Sequence, residues 1–313
     1  MKGVINVFIN LFTIFNNLTT PRFKLEMFNI HYFVHLLLCA LVVVIFYLIL
    51  KRVSDKNKER ILFGVLLAAF VIHFLKMFIW PYTTIDFPDR FRKVSFENIS
   101  ATHTLIFPWL FLSKNKTAKD YLVMAGITTG LLPILLPLDA IRPFFDGNPS
   151  FGYKPAYSIE VFRFYFAHLV FFMVPFLMMV FGLHKIEAKR FYRIPMMFFL
   201  VLTLLFVNEY VLVKTGLVPE YYNNLKWTHI DSRNPSFIFG VSSDVSKYAG
   251  FVMIFVPKFM RGTDNFWPVI WLVGPLIVYG NLFALFYAYI FDKEGTKALF
   301  HKNDPNIKKV EEK

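Results

Sequence analysis

The chain has 313 residues, of which 56% are apolar and 19% aromatic, with a net charge of +13 and one cysteine. A lone cysteine excludes a disulfide framework and a cysteine zinc cluster. The positive charge does not point to nucleic acid. Lys and Arg are spread over short segments between long apolar runs, the distribution that orientation in a bilayer produces.

In chain order, Val4, Ile5, Val7, Phe8, Leu11, Phe12 and Phe15 recur near a spacing of 3.6. Residues 1–27 therefore read as an amphipathic segment lying at a membrane surface, rather than a processed leader. Seven apolar spans are predicted at 29–50, 61–80, 98–113, 119–138, 161–183, 194–214 and 267–291. Runs of about 20 apolar residues match the thickness of a bilayer core. Cys39, inside the first run, reads as a small apolar filler. The third span is short and carries Asn98, Ser100, Thr102, His103 and Thr104, which places it inside the bundle, away from lipid. The fold class is all-α: a polytopic bundle of about seven membrane helices spanning 28–291. Residues 215–266 form an external segment that caps one face, and 292–313 form a disordered basic tail.

Orientation follows from charge. Eighteen Lys and Arg fall in the short segments 51–60, 114–119, 184–193 and the tail, against thirteen in the longer segments of the other side. The denser side is expected to be cytoplasmic, which puts the N-terminus outside, the C-terminus inside and the protein in the cell membrane. In that frame His31, His35, His73, Lys76, Ser100, His103, Asp139, Arg163, His168, Asn208 and Glu209 all fall in the outer half, where they are expected to line a polar pocket. Ionisable groups inside a membrane are costly and by default mark a functional site.

Ser100 and His103 are three residues apart and share a helix face. A serine hydroxyl needs a base to become a nucleophile, and His103, His168 or His73 supplies one. The bland alternative has Ser100 and Thr104 bonding back to the helix backbone. His31 and His35 have a spacing that can share a metal. Acidic ligands are few, however, and no His-Glu-x-x-His string exists, so neither metal nor cofactor is expected. Glu209 should pair with Arg163, Lys76 or Lys214, either as a structural ion pair or as a carboxylate orienting a histidine base. Lys76 and Lys214 also have the option of snorkelling to the interface.

Four strings together carry a resemblance. They are Phe96-Glu97-Asn98-Ile99-Ser100, Phe164-Tyr165-Phe166-Ala167-His168, Asn208-Glu209-Tyr210-Val211-Leu212 and Trp267-Pro268-Val269-Ile270-Trp271. They resemble, in order, the Pro-Leu-His-Leu-Cys-type string, the aromatic stretch ending in His, the Asn-Tyr-rich segment and the Trp-Pro-Trp-Tyr string of the YwaF-like integral membrane proteins. Eukaryotic relatives of that family include a phospholipid-dependent transacylase. The family's cysteine position is Ser100 here and its neighbouring histidine is Asn98. The resemblance implies Ser100 as nucleophile and His168 as base in a lipid acyl transfer or hydrolysis acting on the outer leaflet. Asn98 or His103 would stand by the oxyanion, with His73, Arg163, Asn208 and Glu209 behind them. Membrane lipids are then the expected partners. A transport component binding a solute, and a non-catalytic scaffold or sensor, are the alternative readings.

Overall fold

The protein is described by a computed structural model in which residues 23–79, 82–141, 155–217, 235–241, 250–261 and 266–300 are described. The expected amphipathic segment up to residue 22, the expected turn at 142–149 and most of the segment 215–266, expected to be external, lie outside the described residues.

The helices are α1 (Ile30–Leu50), α2 (Asp55–Leu75), α3 (Phe87–Val94), α4 (Ile99–Leu112), α5 (Lys116–Leu135), α6 (Ile159–Val180), α7 (Ile194–Lys214), α8 (Asn281–Phe291) and α9 (Lys293–Phe300), with several shorter turns between them. Asn29, Asn98, Asn115 and Ser158 start α1, α4, α5 and α6 by accepting from first-turn N–H groups. Each satisfies one of the donors that a helix start leaves orphaned. Six stretches are long and apolar enough to cross a membrane: Ile30–Leu50, Asp55–Phe78, Lys116–Ile141, Ile159–Val180, Ala188–Lys214 and Ile270–Phe291. The chain is a multi-pass membrane protein.

The expected third span is the exception. It is α4, with 14 residues. At a rise of about 1.5 Å per residue that is roughly 21 Å, short of a bilayer core of about 30 Å. It sits inside the bundle, with Ala101, Thr102, His103, Thr104, Leu105, Phe107, Pro108 and Phe111 buried. Its polar residues therefore meet protein. The helices that face outward are apolar instead, with Leu37, Met196 and Ile277 exposed. An apolar surface of that extent belongs against lipid.

The most deeply packed span is α6, with 13 of its 22 residues buried. Its closest neighbour is α5, and two glycines four residues apart explain the approach. A Cβ on Gly126 would stand 2.8 Å from the Phe171 carbonyl oxygen, and one on Gly130 would stand 2.6 Å from that of His168. Without side chains in the way, two helix backbones pack at close range, which is how membrane helices associate when no water drives them together.

Two further features bear on the expected outline. The start of the expected disordered tail, Lys293–Phe300, is helical. Within the segment 215–266, Pro235–Phe237 folds against the bundle. Ser236 Oγ accepts from the Ile99 N–H at 3.1 Å, and Val269 N donates to the Ile238 carbonyl at 2.7 Å. Ile238, Phe239 and Val269 pack with Leu202 and Leu205 in a small second core. This strip covers the start of α4.

Candidate functional site

Ser100 is the second residue of α4, two residues from the Asn98 cap, whose side chain accepts from Ala101 N at 2.8 Å. The opening turn of α4 carries the positive end of its helix dipole. Thr104 bonds back to the Ser100 carbonyl at 3.0 Å, as hydroxyls in spans often do. The Ser100 hydroxyl faces α6 instead, 3.4 Å from His168 Nε2. That is long for a hydrogen bond, and such contacts often tighten only when substrate is bound.

The tautomer of His168 follows from its other contact. Nδ1 lies 2.8 Å from the Phe164 carbonyl oxygen, which can only accept, so Nδ1 carries the proton. Nε2 then presents its lone pair to the serine, in the orientation a general base requires. The imidazole is 7% exposed and packs between the rings of Phe164 and Phe171. Gly130 of α5 lies against its backbone.

The other expected site residues have separate engagements. His103 is fully buried and bridges to α5. Thr129 spends its own proton on the Ala125 carbonyl, so Thr129 Oγ1 accepts from His103 Nδ1 at 3.0 Å, and Nε2 accepts from Tyr121 OH at 2.9 Å. Both ring nitrogens are used, which removes His103 from the oxyanion role expected of it. His73 donates Nε2–H to the Val94 carbonyl at 3.1 Å, tying the end of α2 to the end of α3. Asn208 donates to Ser95 Oγ and the Phe96 carbonyl at 3.2 and 3.3 Å, anchoring α7 to the turn before α4. Glu209 is buried on α7. His31 and His35 do not converge on a common point. His31 meets Tyr157 OH at 2.8 Å, and His35 donates to the Ala156 carbonyl at 2.7 Å. Asp139 is exposed.

Arg163 has a partner that the sequence reading did not name. Its Nε and Nη2 donate to Glu160 Oε2 and Oε1 at 2.7 and 2.6 Å, a two-pronged fork within one turn of α6. Tyr82 OH accepts from Arg163 Nη2 at 3.2 Å and donates to Glu160 Oε1 at 2.8 Å. The acid three residues before the arginine was a usable signal. Tyr82 had none. Nearby, Lys93 Nζ meets Glu97 Oε1 at 2.5 Å and Arg92 Nη1 meets it at 3.6 Å. Burial by itself would raise the Glu97 carboxyl, but the charges of Lys93, Arg92 and Lys76 outweigh it and hold the group down at about 2.

At the opposite end of the bundle lies a second buried cluster, also absent from the sequence reading. Asp120, at the start of α5, accepts from Arg190 Nε at 2.6 Å and from His184 Nε2 at 2.7 Å. Arg190 also pairs with Glu187 at 2.7 Å. An acid just inside a span, on the side of a basic loop, was the available sign.

A cavity of about 360 Å³ opens between α1, α2 and α6, walled by His35, Cys39, Phe162, Tyr165, Leu169 and Met173 among others. Its wall is apolar, and His168 projects from a different face of α6. This cavity is not the polar pocket anticipated from the sequence.

Among models of protein families, that of the TMEM164 family matches residues 23–239. The match contains Ser100, His168 and every other expected site residue, and ends before the last span. Comparison with curated proteins and with solved structures finds no match.

Proposed function

Starting from the fact that the chain belongs to the TMEM164 family of membrane proteins, we propose that it transfers or hydrolyses an acyl group on a membrane lipid. Ser100 is the nucleophile and His168 the base. The observation that carries this reading is the pairing of a serine hydroxyl with the unprotonated nitrogen of a buried imidazole whose other nitrogen is held by a carbonyl. The resemblance to YwaF-like proteins, which implies a cysteine nucleophile at the Ser100 position, agrees with it.

The chemistry needs no further group. As Ser100 Oγ attacks the ester carbonyl carbon, its proton passes to His168 Nε2. The carbonyl oxygen becomes an oxyanion near the opening turn of α4, where the helix dipole favours negative charge. Collapse breaks the ester C–O bond, and His168 returns the proton to the departing lysolipid alcohol. An acceptor alcohol or water then attacks acyl-Ser100 by the reverse steps. With the N-terminus outside and the basic loops inside, the substrate belongs to the outer leaflet of the cell membrane.

A fluorophosphonate probe tests this on the purified protein. Wild type is expected to be labelled, Ser100→Ala to lose labelling, and His168→Ala to label far more slowly. Ser100→Cys should keep lipid turnover, because a thiolate is the better nucleophile. Absence of wild-type labelling, with unchanged lipid profiles in Ser100→Ala membranes, would overturn the proposal. A transport component or a scaffold predicts that second pattern.

A further inference from the structure

The cavity between α1, α2 and α6 has no part in the chemistry assigned to Ser100, which meets a different face of α6. Two matching stripes wall it. His35, Cys39 and Phe46 recur along one face of α1, and Phe162, Leu169 and Met173 along one face of α6. The stripes run from His35 to Phe46 and from Phe162 to Met173, about 16 Å each at the rise of a helix. Spread over that length, the cavity's volume of about 360 Å³ leaves a cross-section of about 20 Å². That is the girth of one extended hydrocarbon chain. The length takes roughly a dozen methylenes, at a C–C bond of about 1.5 Å.

The wall carries two polar groups without partners, both at the end where α1 and α6 begin. Tyr165 is 3% exposed, and its hydroxyl has no hydrogen-bond partner. Its ring stacks on that of His35 at 4.4 Å. His35 gives its Nε2 proton to the Ala156 carbonyl, so Nδ1 keeps a lone pair, which meets no partner among the described residues. A buried polar group left unpaired is costly, and it favours a ligand that supplies the missing bond.

The same end sets the size and charge of what it takes. Ala156 is fully buried and lies across it, donating to the Phe23 carbonyl at 2.7 Å while accepting from His35. A small head group is all that fits beneath this strip. No Lys, Arg, Asp or Glu lines the cavity. An ionised head would lie buried without a counter-charge, which is expensive. A second chain would exceed the cross-section. A hydroxyl, by contrast, accepts from Tyr165 OH and donates to His35 Nδ1, and so satisfies both orphaned groups at once.

We propose that this cavity is a binding site for a long-chain alcohol: one unbranched hydrocarbon tail lying between α1 and α6, with its hydroxyl at Tyr165 and His35. The site is separate from the Ser100 centre and does not depend on the acyl-transfer reading.

Photocrosslinking in proteoliposomes tests it. The probe is 1-tetradecanol carrying a diazirine at mid-chain, and crosslinked peptides are mapped by mass spectrometry. Wild type is expected to be labelled saturably within 35–46 and 162–173, and unlabelled 1-tetradecanol should displace the probe. Tetradecane and tetradecanoic acid should compete less well. Tyr165→Phe removes a hydroxyl that has no partner in the fold, so it should fold as wild type. It should raise the half-saturating concentration about three- to tenfold, the order for one hydrogen bond. Val42→Trp, which fills the cavity from α1, should abolish the labelling.

Wild-type labelling that does not saturate, or that falls outside those two stretches, overturns the proposal, and this arm needs no variant to fold. Unchanged affinity in folded Tyr165→Phe also overturns it. Tetradecane competing as well as the alcohol overturns the hydroxyl assignment, and tetradecanoic acid competing better overturns the uncharged head.

Discussion

At the scale of single residues, a histidine's role here is decided by what holds its second nitrogen. His168 and His103 both lie in apolar surroundings, and the sequence offers both as bases. His168 spends Nδ1 on a carbonyl and keeps Nε2 for Ser100, whereas His103 uses both nitrogens on Thr129 and Tyr121. Tyr121→Phe should therefore leave probe labelling of Ser100 intact and cost about 1–3 kcal/mol of stability, because a buried acceptor loses its donor. Thermal unfolding in detergent measures the second part. Glu160→Gln is expected to be more damaging. It leaves the Arg163 guanidinium facing a neutral amide in a buried place, where breaking a pair costs on the order of 3–5 kcal/mol. Loss of thermal stability no larger than that of an exposed control such as Glu294→Gln would contradict this role for the fork.

At the scale of elements, the Ser100–His168 distance is set by how closely α5 packs on α6 and by how α4 is capped. Gly130→Ala inserts a methyl against the His168 carbonyl and the backbone of Phe172, and nothing there is a flexible side-chain end. The helices must separate, taking His168 with them. Labelling should fall along with thermal stability, while Gly64→Ala, at a site with open space, should change neither.

The turn before α4 adds a pH dependence. Glu97 is held at about 2, against a usual 4.5, by Lys93, Arg92 and Lys76 after burial has pushed the other way. Glu187 at the other end is also held at about 2, by its bonds to Lys189 and Arg190. A carboxyl depressed on folding contributes stability above its unfolded value and loses it as pH falls through the folded one. Stability should accordingly decline between pH 4.5 and 2. Glu97→Gln should flatten that part of the curve in a thermal-shift series.

At the scale of the whole molecule, each end of the bundle carries a buried charge cluster. One surrounds Tyr82 and Glu97 beside the Ser100 centre. The other is built on Asp120, Arg190 and His184, joining the start of α5 to the turn that enters α7. Such clusters pin the ends of spans whose middles are held mainly by apolar packing, with polar links such as His103 to Thr129 and Tyr121. The charge asymmetry of the loops predicts that a cysteine at position 54 is shielded in intact cells and one at position 148 is open to a membrane-impermeant maleimide. Labelling of position 54 from outside would reverse the topology, and with it the leaflet from which substrate comes.

Class, helical outline and the residues worth suspecting were legible in the amino-acid sequence. Apolar run length and the cost of an unpaired backbone in lipid leave little freedom there, and the six long helices begin and end close to where hydropathy puts them. The polarity of 98–104 was enough to place α4 inside the bundle.

Partners were another matter. Arg163 turned to Glu160 rather than Glu209, His103 went to α5 rather than to an oxyanion, and Asp120 found Arg190 seventy residues away. Hydropathy says how deep a residue lies but not which way its helix is turned. A rotation of one residue, about 100°, changes every neighbour a side chain meets. Helix rotation was decided by close packing, above all Gly126 and Gly130 against α6, so only the tertiary structure set Ser100 opposite His168.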